Sequence, residues 1–301
     1  MNAKRYLEIQ SEGGVVNFSN RAKFRLTGGD RVRYLNGQLT NDVRLAIEKK
    51  CAIYACVTDI KGRIVGDVYV RDSEEEGALY LDAVTDLREV LGPRLERYII
   101  ADDVELMDVT EDWQLWHFFG KASAGRTEGV EAMRLGCSGR DVWLPRGASA
   151  PSSDGLVLTS NEVEQWRILQ GIPQYPQELA GEVFPPEAGL DERAMSYTKG
   201  CYIGQEILSR IRTTGKMPRR LVRWSSNDSN HGISPGDEWV PISGAGRVGQ
   251  VTSVTEDPIT GRGAGLGYVK SSAVIVDSEL LVSGGEPRIE HRVKISPLVN
   301  Q

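Results

Sequence analysis

Residues 197–210 read YTKGCYIGQEILSR, with Cys201 after Gly200 and Lys199 two positions earlier. Ile203, Ile207, Leu208 and Ile211 fall at helical spacing, which predicts a helix from about Gly204 to Arg212. Cys201 is then expected just before that helix or in its first turn. Unpaired N–H groups and the positive end of the helix dipole lie there. These features and the nearby lysine favour thiolate, the nucleophilic form of cysteine. Gly200 and Gly204 would let a ligand approach the backbone closely. Free cysteine is also often a small buried hydrophobe, and the residues alone leave both readings open.

Other chemistry is sparser. Lys199 to Arg223 holds seven basic residues (Lys199, Arg210, Arg212, Lys216, Arg219, Arg220, Arg223) and one acid, Glu206. Such a run can receive carboxylates, phosphates or an RNA backbone, or can simply be a solvated helix end. Tyr175, after the Gly171-Ile172-Pro173 turn, could stack on a flat ring or pack in a loop. Residues 244–249, GAGRVG, match G-x-G-x-x-G, but the alternating QVTSVTED that follows is strand-like. Dinucleotide binding needs a helix there, so tight β-turns are expected instead. His117, His231 and His291 are far apart, and Cys51 and Cys56 have no second pair, so no dedicated metal site is expected.

The elements that must position these groups follow from composition and periodicity. A chain of 301 residues suits two or three domains. Its net charge of −6 argues against general nucleic-acid or membrane-surface binding. No apolar run reaches membrane-spanning length, and MNAKRYLEIQSEGG carries no secretory pattern. Four scattered cysteines make no disulfide framework, which points to a reducing cytoplasm. Strands are expected over 14–26, 51–58, 64–70, 78–83, 104–110 and 113–119. Helices are expected over 28–41, capped by Asp30, over 85–98 with a break near Gly92-Pro93, and over 160–170 with Ser160 or Asn161 as N-cap and Gly171 as stop. From about 217 the chain turns glycine-rich and alternating, as in a small all-β domain. The order gives an α+β class rather than a βαβ succession.

Several segments resemble one superfamily, the folate-binding YgfZ-type proteins and the aminomethyltransferase (T-protein) of the glycine cleavage system. Lys199-Gly-Cys-Tyr-Ile-Gly-Gln-Glu206 is similar to the YgfZ-type K-G-C-Y-x-G-Q-E signature. Tyr34-Leu-Asn-Gly-Gln-Leu-Thr-Asn-Asp-Val43, Arg167 to Pro173, Gly246 to Ser253 and Leu266 to Val269 extend the resemblance along the chain. It implies interleaved α+β units, one ferredoxin-like, around a central cavity, with a C-terminal β-barrel. The implied division is 1–216, split as about 1–50 with 115–216 and about 51–114, and then a barrel over 217–301.

The implied cofactor is tetrahydrofolate. Implied folate-binding residues are Tyr175, Arg167, Gln38, Asn41, Tyr202, Gln205, Glu206 and Arg210, and Cys201, Lys199 and Asp67 are the implied catalytic groups. The resemblance further implies a role with iron–sulfur proteins or their assembly machinery and an indirect link to tRNA modification. Two positions depart from the aminomethyltransferase pattern: Gly66 stands beside Asp67 where two acids are expected, and Leu169 stands where a folate-binding glutamate is expected. Leu169 is thus expected as a buried apolar group facing the pterin. The leading expectation is a folate-linked accessory protein, with Cys201 at the cavity mouth. The alternative is a tetrahydrofolate-dependent aminomethyltransferase or demethylase that uses Asp67 as base or amine partner.

Overall fold

The computed structural model describes residues 1–153, 155–226, 232–243, 246–273, 279–284 and 289–298. His231, and Gly244 and Ala245 of the GAGRVG string, lie outside the described residues. The first half contains α1 (Ala3–Glu12), β1 (Gly14–Asn17), β2 (Ala22–Thr27), α2 (Arg31–Gln38), α3 (Arg44–Glu48), β3 (Ile53–Thr58), β4 (Ile64–Ser73), β5 (Ala78–Ala83), α4 (Arg88–Glu96), β6 (Glu105–Asp108), β7 (Trp113–Phe119), β8 (Val130–Ala132) and β9 (Gly139–Pro145). Then come α5 (Ser160–Gln170), α6 (Gln205–Thr214), β10 (Arg219–Ser226), β11 (Glu238–Pro241), β12 (Gly249–Glu256), β13 (Gly263–Lys270), β14 (Glu279–Gly284) and β15 (Ile289–Pro297).

The class is α+β. Strands β3-β4-β5-β2-β6 form one antiparallel sheet and β1-β7-β9-β8 a second. The first sheet lies in sequence between β1 and β7 of the second, so the two are interleaved. Strand β2 precedes residue 50, yet its hydrogen bonds go to β5 and β6 of the five-stranded sheet. Strands β10-β13-β12-β11-β14-β15 close a barrel, with Trp224 and Trp239 in its core. β12 leaves the GAGRVG string as a barrel strand paired with β13, so no helix follows it.

Local sequence explains most elements. Helix α5 spans the expected 160–170, but its N-cap is Thr159 rather than Ser160 or Asn161: Thr159 accepts from the Glu162 N–H, while Glu162 accepts from the Thr159 N–H. Gly171 ends it at φ 74°. Helix α4 runs unbroken through Gly92-Pro93, because fully buried Leu91 and Leu95 hold it on the sheet. Helix α1 was not anticipated from its polar sequence. Asn2 caps it, and Arg5 binds Glu162 at 2.8 Å while Tyr6 packs on Trp166.

Gly66 marks how closely α4 sits on the sheet. A Cβ there would lie 2.8 Å from a Leu87 methyl and 3.2 Å from one of Leu91. Gly66→Ala is therefore expected to destabilise the fold by about 1–3 kcal/mol through overpacking. A denaturant midpoint unchanged from the parent protein would contradict this packing.

Candidate functional site

A cavity opens between the β1–β2 connection, the N-terminal half of α5 and residues 172–177. Its outer basin has a volume of about 1010 Å³ and is lined by Phe18, Arg21, Ser160, Glu164, Gln174 and Tyr175 among others. That size suits a ligand of drug dimensions. Phe18, Arg21, Val84, Val163 and Gln174 also line a narrow inner pocket of about 70 Å³. Tyr54, Asp67, Tyr69, Arg134, Arg167 and Arg193 form much of the inner wall.

Asp67 is the chemically distinctive group. Pairing of β3 with β4 sets Asp67 opposite Cys56, and Asp67 is only 6% exposed. Its Oδ2 accepts from the Tyr54 hydroxyl at 3.0 Å, and its Oδ1 has no partner. Burial pushes its carboxyl above the ordinary carboxylate range, while Arg21 and the Tyr54 hydroxyl oppose that rise. An unmet buried oxygen of this kind costs roughly 1–3 kcal/mol and fits a donor N–H or a cation. Tyr54 stacks on Tyr69 at 4.7 Å between ring centroids.

Behind this wall lies a charge network that no sequence motif announces. Arg134 donates to both oxygens of Asp82 and to both of Asp141. Arg21 adds an ion pair to Asp82, and His117 Nδ1 lies 2.8 Å from Asp141 Oδ1. Burial alone would lower the Arg134 pKa, but Asp141 and Asp82 outweigh it and keep the guanidinium charged. Its face lies 4.0 Å from the Tyr69 ring centroid, so the network fixes an aromatic wall of the inner pocket.

The expected site residues divide into two groups. Asp67 and Arg167 line the inner pocket and Tyr175 the outer basin. Arg167 is not free for a ligand, because Glu164, Glu178, Ser253 and the Ile172 carbonyl take its donors. Asn41 sits behind the wall, donating to the Tyr54 and Arg193 carbonyls at 2.9 and 3.3 Å. Gln38 accepts from Arg94 and does not line the cavity.

Cys201, Lys199, Tyr202, Gln205, Glu206 and Arg210 also lie outside the cavity lining. Their segment packs instead on residues 36–41 and on the tip of the β3–β4 hairpin. Ile203 N–H donates to Gly37 O, and the Thr58 hydroxyl donates to Ile203 O. At Gly204, φ is 86°, and a Cβ would lie 2.6 Å from Asp59 O. Only glycine fits this left-handed close approach. Tyr202 is buried with Met195 and Leu208, whereas Glu206 and Arg210 are exposed on α6.

Two expectations about the motif are corrected. Cys201 is exposed and precedes the first helical residue, Gln205, by a turn, so it lies just before α6, one of the two expected places, but does not line the cavity. Lys199 does not await an anion. Its ammonium donates to the carbonyls of Asn36, Leu39 and Asn41, the last two at 2.7 and 2.8 Å. Burial pushes it down to about 7.

Both departures from the aminomethyltransferase pattern also change meaning. Neighbouring strand residues face opposite sides. Gly66 therefore faces Leu87 and Leu91, away from Asp67, and a second acid there would enter the α4 core. Leu169 is half-buried rather than buried, and it does not line the cavity. The α5 residues that line the cavity are Ser160, Asn161, Val163, Glu164 and Arg167.

No protein-family model matches the chain. An aminomethyltransferase of Anoxybacillus flavithermus is 24% identical over 96% of this chain and 88% of its own. An aminomethyltransferase of Rubrobacter xylanophilus is 28% identical over 87% and 77%. An iron–sulfur cluster assembly factor IBA57 homolog, mitochondrial, of Neurospora crassa is 24% identical over 69% of this chain, a match spanning 53% of that protein. The solved glycine cleavage system aminomethyltransferase T of Bartonella henselae superposes with a TM-score of 0.80 at 15% identity, covering 98% of this chain and 89% of that one, and so shares the fold. Interleaved sheets and a closed barrel thus give the chain the fold of that aminomethyltransferase T. In sequence the chain is similar both to aminomethyltransferases and to IBA57 homologs, at 24–28% identity.

Two measurements test the site's energetics. Below the pKa of both folded and unfolded states Asp67 is neutral in each, so Asp67→Asn should then change little. Above the unfolded value of about 3.9 the parent protein must bury a charge or bind a proton. The stabilising effect of Asp67→Asn is thus expected to open as pH rises past about 4 and to level off beyond the raised folded-state pKa. Denaturant midpoints that run parallel for both proteins from pH 3 to 8 would contradict the burial of this charge. At the motif, Lys199→Met should cost about 2–4 kcal/mol by stranding buried carbonyls. Exposed Cys201→Ala should stay within about 0.5 kcal/mol. Equal losses in calorimetry would contradict the division between anchor and exposed thiol.

Proposed function

We propose that the protein binds tetrahydrofolate, or a folate derivative, in the outer basin and supports the assembly or repair of iron–sulfur proteins. The observation that carries the folate reading is a ligand-sized basin opening onto a buried carboxylate with one unpaired oxygen. Phe18 and Tyr175 offer faces for a flat ring, and Arg21, Arg146 and Gln174 offer donors for acidic or carbonyl groups. Asp67, held by Tyr54, would accept a donor N–H from a ligand group that reaches the inner pocket. A reduced folate supplies nitrogen atoms that can take up a one-carbon unit.

The iron–sulfur reading is supported by the fungal relatives named as iron–sulfur cluster assembly factors and by the exposed Cys201 on a fixed frame. Cys201, Glu206 and Arg210 would face client proteins or assembly machinery, with tRNA modification affected through iron–sulfur enzymes. Four free cysteines suit a reducing compartment, here read as the cytoplasm, although the fungal relatives are named as mitochondrial. No helix among the described residues is long and apolar enough to cross a membrane.

The second reading, a one-carbon (aminomethyl) transferase, is favoured by Asp67 itself. A buried carboxylate with raised proton affinity can hold an amine or take its proton.

Fluorescence titration with tetrahydrofolate should show binding, weakened about tenfold by Tyr175→Ala through lost stacking. No binding to the parent protein would end the folate reading. In a deletion strain, Cys201→Ala should fail to restore iron–sulfur enzyme activity although the protein accumulates. Formation of methylene-tetrahydrofolate from a one-carbon donor, abolished by Asp67→Asn, would promote the transferase reading.

A further inference from the structure

Lys23 on β2 is fully buried and forms no ion pair among the described residues. A lysine is almost never enclosed in this way unless it is paired with an acid. Its ammonium donates instead to the carbonyls of Ser19 and Arg21, each at 2.8 Å. Both carbonyls belong to the β1–β2 connection. Phe18, Ser19, Asn20 and Arg21 of that connection line the outer basin, and Phe18 and Arg21 also line the inner pocket. Lys23 itself is not in the lining of either. It lies beneath the rim of the cavity.

The start of the rim is fixed from β7. Phe18 N–H donates to Leu115 O, and Leu115 N–H donates to the Ser19 hydroxyl. The turn that follows is tied to β2 by Lys23. Arg21 is thus held at both ends, its carbonyl by Lys23 and its guanidinium by Asp82. Asp82 is the cross-strand partner of Lys23 on β5, so one pair of neighbouring residues holds the whole of Arg21.

We propose that Lys23 is a positioning residue for the ligand of the outer basin: its charged ammonium holds the turn at residues 19–21, and with it Phe18 and Arg21, in the shape that takes the ligand. This rests on reading the basin as a ligand site and adds pH control to it. Burial pushes the Lys23 ammonium down to about 8. Asp82 and Glu111 oppose that fall, and Arg21 and Arg146 add to it. A neutral amine is a weaker donor than an ammonium. The rim is therefore firm below about pH 8 and looser above it.

Two measurements on the full chain test this. Lys23→Met keeps the apolar stem and removes the donors. By hydrogen exchange at pH 7, the Ser19 and Arg21 amides of this variant should exchange at least about tenfold faster than in the parent protein, with the β4 and β5 amides unchanged. The second measurement needs no variant, so it decides the question even where Lys23→Met fails to fold. Affinity of the parent protein for tetrahydrofolate should weaken about tenfold between pH 7 and pH 9, with a midpoint of about 8. Folded Lys23→Met should bind at the weaker level throughout. The proposal is overturned if tetrahydrofolate binds the parent protein equally at both pH values, or if the rim amides exchange at the same rate in both proteins. Absence of tetrahydrofolate binding at every pH removes the folate reading, and the exchange rates then decide this one.

Discussion

The ion pair between Arg167 and Glu178 is the joint on which the rest of the structure depends. Both side chains are almost wholly buried. Glu178 accepts from Arg167, from the Gln174 N–H and from the Ser253 hydroxyl, and its own carbonyl accepts from Tyr268. Arg167 adds bonds to the Ile172 carbonyl, Glu164 and Ser253. Helix α5, the loop after it and the barrel strands β12 and β13 therefore meet at one charge pair. A buried pair is a poor source of net stability, because desolvation offsets most of its attraction. Its effect here is geometric. Removing either partner strands a charge in the interior, so the three elements are obliged to keep one arrangement.

That obligation shapes the cavity. Helix α5 shows Val163 and Arg167 to the inner pocket and packs Ile168 into the cluster shared with Leu221, Leu266 and Tyr268. The helix thus serves as a wall for the cavity and as the seat of the barrel. On the opposite wall the Arg134 network plays a similar part, because its acids hold one guanidinium against Tyr69. Charges spent on architecture leave few for a ligand. Asp67 and Arg193 stand out for that reason, since neither has its full complement of partners.

Much of this fold was legible in the sequence, and the illegible parts have physical causes. Apolar runs and alternation exposed the five-stranded sheet, β1 and β7 of the second sheet and the all-β character of the barrel, whereas β8 and β9 lie in a stretch read only as short apolar pieces among Gly, Ser and Pro. Helix α1 was missed because Ile9 is its one fully buried residue and its other supports, Arg5 to Glu162 and Tyr6 on Trp166, come from far along the chain. The break expected in α4 at Pro93 did not occur, because burial of Leu91 and Leu95 outweighs one lost hydrogen bond. Tyr54, Arg134 and Arg193 were not singled out, as they have no mutual spacing and meet only through sheet pairing and loop packing. Gly66 and Leu169 were read as losses to a ligand site by their place in a motif. Strand alternation and helix rotation turn both away from the cavity.

The motif around Cys201 shows why a recognisable string need not be a single site. Lys199, Tyr202 and Gly204 face inward, where the first holds three carbonyls, the second fills a core cluster and the third makes room for Asp59. Cys201 and Glu206 face outward. The inward residues fix a backbone on which the outward ones are displayed, at the tip of the same β3–β4 hairpin that carries Asp67 three pairs further along. One hairpin therefore connects an enclosed carboxylate with an exposed thiol. A thiol displayed in this way meets macromolecular partners more readily than a ligand within the cavity. The sequence string and the cavity are therefore two separate surfaces of one fold.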